Sequence, residues 1–124
     1  MRIIFITCGL IILIGSLLLW HSFHKPFQAG QFTGAPKVEV IDVINKPLDF
    51  LGKTVALEGI ISKQCTTMGC YFFFAEQGKE LRVDLAKIAM NAPKGKEGRK
   101  ARVEGRTIPY NDSFQFITSA VAFE

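Results

Sequence analysis

The residues able to do chemistry concentrate in one loop, Cys65-Thr66-Thr67-Met68-Gly69-Cys70, which holds two of the chain's three cysteines and one of its three methionines. A disulfide between Cys65 and Cys70 requires their Cα atoms to approach within about 7 Å, so the chain must turn back between them. Gly69 makes that turn easy. In the loop-entropy model a ring this short contributes roughly 2 kcal/mol, a modest staple. The same loop offers a second chemistry. Cys65, Met68 and Cys70 present three sulfur ligands of the kind Cu(I) prefers, so a soft metal such as copper is the alternative occupant; no other cofactor is expected. Zinc would need a fourth ligand that cannot be pointed to. Met68 has a plainer role available, capping the loop over the apolar run Phe72 to Phe74. A redox-active dithiol is the third chemistry, although Lys63 is the only nearby charge and the Cys-x-x-Cys spacing is absent.

No catalytic set stands beside these residues. Both histidines, His21 and His24, precede the patterned part of the chain, which removes Ser/His/Asp catalysis from the domain. Without a third ligand nearby they read as interfacial polar residues rather than a metal pair.

The loop is carried by strand-like sequence. Thr54 to Ser62 alternates, with Val55, Leu57, Gly59 and Ile61 on one face, and Gly59 suggests a bulge or sharp bend. Tyr71 to Ala75 is apolar on both faces and ends at Gln77-Gly78-Lys79. Leu81, Val83 and Leu85 then alternate with Arg82 and Asp84, so the pair reads as a hairpin. A fourth strand follows from Ala101, Val103, Gly105 and Thr107 alternating with Lys100, Arg102, Glu104 and Arg106. A fifth runs from Phe114 to Phe123 after the turn residues Tyr110 to Ser113. Upstream, Val38, Ile41, Ile44, Leu48 and Leu51 recur at three- and four-residue steps. They predict one helical face, interrupted at Pro47 into a helix ending near Asn45 and a short turn. The expected fold class is all-β with a short N-terminal helix: a five-stranded OB-type barrel over 37–124. The segments Gly52 to Gly59 and Gly98 to Gly105 echo one another, each closing on Glu-Gly, as two bent strands of one barrel would.

The 18 residues from Ile3 to Trp20 carry no charge, and 12 of them are Ile, Leu or Phe. As a helix they would span roughly 27 Å, near the thickness of a bilayer core. The expectation is a single transmembrane helix ahead of the barrel, with 1–24 an anchor or signal segment, 25–36 a linker, and the membrane a partner through residues 3–20. Arg2 before the span favours the N-terminus inside, which would place the domain outside the cytoplasm, where disulfides persist. Cys8 is then an ordinary residue of the apolar run.

From Lys37 onward, 13 basic residues face 11 acidic ones, too near balance to argue nucleic acid. Lys94, Lys96, Arg99, Lys100, Arg102 and Arg106 do form a basic stretch, but Glu97 and Glu104 interrupt it and a solvated face explains it.

The succession Leu48 to Val55, Leu57-Glu58-Gly59 and Cys65-Thr66-Thr67-Met68-Gly69-Cys70-Tyr71 resembles a family of bacterial extracytoplasmic OB-fold domains of unknown function. That family carries a Cys-x-x-Met-Gly-Cys loop followed by an aromatic, usually tryptophan. The resemblance covers Val38 to Glu124 and implies fold and compartment, with no established activity. It also implies a stacking role for the ring at Tyr71, so Tyr71 and Phe73 are the candidate ligand-binding residues. The expected function is a non-enzymatic, membrane-anchored binding module with an envelope protein or a small ligand as partner. The alternative is a thiol-disulfide redox protein using Cys65 and Cys70.

Overall fold

The computed structural model describes the chain except Met1, His24, Lys25, Met68 and Gly69; side chains of 2–6 and 19–23 also lie outside the described residues. Helix α1 (Arg2–Phe23) precedes strand β1 (Phe27–Gly30), helix α2 (Val40–Asn45) and a single 3-10 turn at Pro47–Phe50. Five strands then follow: β2 (Thr54–Gln64), β3 (Tyr71–Glu76), β4 (Lys79–Asp84), β5 (Lys100–Tyr110) and β6 (Ser113–Phe123).

Strands β2 to β6 close a barrel. β2 pairs antiparallel with both β3 and β5, β3 with β4, and β5 with β6, while β4 meets β6 in parallel through Val83 and Asp84 opposite Phe116 and Ile117. The β5–β6 hairpin is the longest pairing of the wall. The period-2 pattern sorts the side chains as expected: Val55, Leu57, Ile61, Phe72, Phe74, Leu81, Val83, Val103 and Phe116 fill the interior. The β3–β4 turn places Gln77 and Gly78 at positive φ (52° and 74°), the geometry of a two-residue hairpin turn that matches strand twist.

Four expectations need correction. No helix among the described residues is long and apolar enough to cross a membrane. The transmembrane helix expected at 3–20 is therefore withdrawn. The segment 25–36 is not a plain linker, because β1 lies inside it and pairs with the end of β6, Phe27 opposite Phe123. Four residues are too few to register as alternation, and the pairing partner lies at the far end of the chain. The helical face is carried by buried Val40 and Val43, while Leu48 stands 71% exposed. Pro47 ends α2 and starts a separate turn, so the phase of the apolar repeat is not continued. Finally, the irregularity in β2 falls between Ile61 and Lys63, not at Gly59. Gly59 instead makes room for a ring: a Cβ there would sit 2.9 Å from Phe74 Cδ1.

Beyond β1 the chain continues as a strap over the outside of β5. Val38 N–H donates to the Ala56 carbonyl and Ala56 N–H to the Pro36 carbonyl, which fastens the strap's far end to β2. At its centre Glu104, 3% exposed, accepts from Thr33 N–H and Oγ1 (both 2.8 Å), Gly34 N–H (3.1 Å) and Ala35 N–H (3.2 Å). Successive N–H groups around a residue at positive φ make a concave anion-binding nest, and Gly34 at φ 77° supplies the bend. Arg102 beside it lies over the Phe32 ring at 4.6 Å.

Candidate functional site

The cysteine loop joins β2 to β3 and is held at both ends. Cys65 N–H donates to the Tyr71 carbonyl (3.0 Å), and Leu85 N–H donates to the Cys70 carbonyl (2.7 Å). Gln64 extends the grip to the connection between β4 and β5. Its Nε2 donates to the Pro93 carbonyl (2.8 Å) while its Oε1 accepts from Lys96 N–H (2.7 Å). Lys94 Nζ closes the bracket on the Thr66 carbonyl (3.1 Å).

Within this frame Cys65 is buried and Cys70 half-buried, with their Sγ atoms 3.8 Å apart. The two sulfurs are in contact but not bonded, since a disulfide needs about 2.05 Å. Cys65 Sγ also lies 3.4 Å from Thr67 Oγ1. Burial pushes the Cys70 thiol above its ordinary value, and the hydrogen bond and nearby charge of Cys65 push it the same way. A raised thiol is the opposite of what an attacking nucleophile needs at neutral pH, because the thiolate is the reactive species.

The same spacing suits half of a sulfur metal site. Two thiolates about 2.3 Å from a tetrahedral metal stand roughly 3.8 Å apart. Met68, the third sulfur of the expected copper set, lies outside the described residues. No group of three His, Cys, Asp or Glu side chains among the described residues assembles around a common point. The described residues thus supply two soft ligands and no complete shell.

A second constellation shares the wall next to the loop. Tyr71 and Phe73 project from the outer face of β3, opposite in sense to the buried Phe72 and Phe74, and pack edge to face with centroids 5.9 Å apart. Arg82, their neighbour on β4, lays its guanidinium 3.8 Å from the Tyr71 ring centroid and 4.9 Å from that of Tyr110. Arg82 Nε donates to Gln115 Oε1 (3.1 Å), and Arg82 Nη2 stands 3.7 Å from Asp84 Oδ2. A guanidinium in contact with two aromatic rings and with its edge fixed is a rigid arrangement that presents both π surface and N–H donors.

The two expected ligand-binding residues, Tyr71 and Phe73, are thus brought together, and Arg82, Tyr110 and Gln115 join them. The alternation of Arg82 with Leu81 and Val83 was enough to put it on the outer face. Tyr110 carried no such signal, since it reads as a turn residue. Only the closure of β6 between β4 and β5 brings it across. The basic stretch does not form one patch. Lys100 pairs with Glu58, Arg102 covers Phe32 and Lys94 serves the cysteine loop. Hydrogen bonding to Glu58 holds the Lys100 ammonium above its ordinary value, and the bonds from Lys100 and Lys37 hold Glu58 below its own.

No family model matches the sequence, and no curated protein matches it. Among solved structures, the fold is similar to a candidate aspartyl-tRNA synthetase from Leishmania major Friedlin, with a TM-score of 0.51 at 9% identity over 75% of this chain and 21% of that one. It is also similar to the hypothetical protein ygiW from E. coli, with a TM-score of 0.49 at 13% identity over 75% of this chain and 100% of that one. This chain therefore spans about a fifth of the length of the first. At these identities the likeness concerns the fold alone: a five-stranded barrel compatible with the OB type.

Proposed function

We propose that this chain is a non-enzymatic OB-type binding module whose ligand lies across the outer face of β3 and β4. The observation that carries the reading is the Arg82 guanidinium lying over the rings of both Tyr71 and Tyr110. In barrels of this type the central strands and the loop between the first two of them form the usual binding surface. Here that loop is the cysteine loop, so Cys65 and Cys70 form the rim of the site and their closure to a disulfide in an oxidising, extracytoplasmic compartment fixes its shape. The resemblance to the extracytoplasmic domain family supports the same compartment. The raised Cys70 thiol counts against the alternative, a thiol-disulfide enzyme.

A ligand suited to this face has a planar group for the rings and an acceptor for the guanidinium edge. Titration of the 15N-labelled chain with aromatic carboxylates should move amide signals of Tyr71, Phe73, Arg82 and Tyr110. Arg82→Ala and Tyr71→Ala should each weaken binding at least tenfold, since a buried cation-π contact is worth up to about 2 kcal/mol. Shifts confined to other regions would remove the face from consideration. Binding of single-stranded oligonucleotides with a steep salt dependence would replace the reading with nucleic-acid recognition.

The rim has its own test. Mild oxidation should lower the intact mass by two hydrogens, with Cys65 and Cys70 in one peptide, and raise stability by roughly 2 kcal/mol over the Cys65→Ser, Cys70→Ser double variant. An oxidised form no more stable than that variant would show that closure strains the loop.

A further inference from the structure

In its reduced form the cysteine loop sets its two sulfurs as a pair of ligands. Cys65 N–H is fixed to the Tyr71 carbonyl and the Cys70 carbonyl to Leu85 N–H, so neither end of the loop drifts from the mouth between β2 and β3. The Lys94 ammonium on the Thr66 carbonyl braces the span between them. The Sγ atoms rest 3.8 Å apart. An ion about 2.3 Å from both sulfurs would see them at an angle of roughly 110°, so the strands need no rearrangement to admit it. Cys65 is buried and Cys70 half-buried, and an ion between them is therefore reached from the Cys70 side.

The donors select the kind of ion. No His, Asp or Glu among the described residues completes a metal-binding group with the two cysteines. The Asp84 charge acts on Cys70, but its carboxylate is engaged elsewhere: Oδ1 accepts from Ala86 N–H and Oδ2 faces Arg82. An all-sulfur pair suits a soft ion. Thr67 Oγ1, 3.4 Å from Cys65 Sγ, is placed to donate to that sulfur as a thiolate, the kind of outer contact that orients a metal ligand. Two bare thiolates at this separation repel one another, which keeps the pair protonated until a cation removes the repulsion.

We propose that reduced Cys65 and Cys70 form a binding site for one copper(I) ion. Two Cu–S bonds form as two S–H bonds break, both protons leave to solvent, and copper stays in the +1 state throughout. Metal and disulfide exclude one another, because each takes both sulfurs. The copper site is thus the reduced counterpart of the oxidised rim.

The test uses the full chain, kept reduced with a phosphine under nitrogen, and copper(I) shared in competition with the chromophoric chelator bathocuproine disulfonate. Wild type should take one equivalent from the chelator. Cys8→Ser should match it, since Cys8 lies on α1, outside the loop. Cys70→Ser should lose affinity by more than about a hundredfold, beyond the ~10–100-fold that removal of a supporting group costs. Equal affinity in Cys70→Ser and wild type, loss of binding in Cys8→Ser, or zinc held as tightly as copper(I) overturns the site. Should Cys70→Ser fail to fold, X-ray absorption of the copper-loaded wild type decides in its place: two or more sulfur neighbours about 2.3 Å from copper uphold the site, and fewer overturn it. The site uses none of the side chains of the Arg82 face, so failure here leaves the binding-module reading untouched.

Discussion

A Glu104→Ala variant should unfold about 2–4 kcal/mol more easily than wild type in urea, a large share of the ~5–15 kcal/mol that holds a small domain together. The carboxylate accepts three backbone N–H groups and one hydroxyl from the strap, and its removal leaves those N–H groups facing a hole in the wall. Glu104→Gln, which keeps the shape and one acceptor, should fall between the two. The loss should spread outward. With the nest gone, β1 and the strap keep the Phe27–Gly30 pairing, the two bonds at Ala56, the Arg102–Phe32 contact and the Lys37–Glu58 ion pair, most of them at the surface. Amide exchange at 27–38 should rise more than in the β5–β6 hairpin.

The same group gives the fold a defined acid sensitivity. Burial by itself would raise the Glu104 carboxyl, but the bonds from Thr33, Ala35 and Gly34 together outweigh burial and hold it below its ordinary value of 4.5. A depressed folded value means the unfolded chain binds the proton first. The stabilisation is therefore fully present above about pH 5 and is lost as pH falls through the folded value. Glu58 titrates in the same direction, so the informative quantity is the difference between wild type and Glu104→Gln across an acid series. That difference should be constant from neutral pH to about pH 5 and shrink below it. A difference independent of pH would mean that the carboxylate charge contributes nothing through the strap.

Gly105→Ala should be at least as damaging, with a loss of about 3 kcal/mol or more. Between the pairs Glu104–Ala120 and Gly105–Thr118, strand β6 carries one extra residue, Ser119. This bulge pushes backbone toward its neighbours on both sides. A Cβ on Gly105 would lie 2.0 Å from the Ile117 carbonyl oxygen, and one on Gly30 would lie 2.1 Å from the Ser119 carbonyl oxygen. Both obstacles are main chain held in a ladder, so neither can step aside cheaply. Gly59→Ala meets only the Phe74 ring and should cost about 1–2 kcal/mol. The order Gly105 worse than Gly59 checks the geometry by denaturation alone. Equal losses would mean that the bulge relaxes around an added methyl.

The two Glu-Gly pairs, in the middle of β2 and of β5, show how much can be read in the chain. Their echo fixes Glu58 and Glu104 on the outer face and Gly59 and Gly105 on the inner one, and both placements hold. It does not separate their roles. Glu58 is a surface carboxylate between Lys37 and Lys100, while Glu104 is buried in a nest; Gly59 accommodates a ring, while Gly105 accommodates a bulge. The two pairs look alike in sequence because alternation encodes a face and nothing about what covers it.

The same division runs through the cysteine loop. Its position between two strands, the hairpin that follows, the inward set Val55 to Phe116 and the outward pair Tyr71 and Phe73 all come from a period of two residues, a local property of the backbone. The sulfur contact, the Gln64 bracket, the Arg82 stack and the strap come from pairings between distant segments. Arg82 meets Gln115 across 33 positions and Thr33 meets Glu104 across 71. Those neighbours are set by the order in which strands close the barrel and by where a bulge slips the register. Both are decided by packing the whole wall at once, and no local pattern carries them.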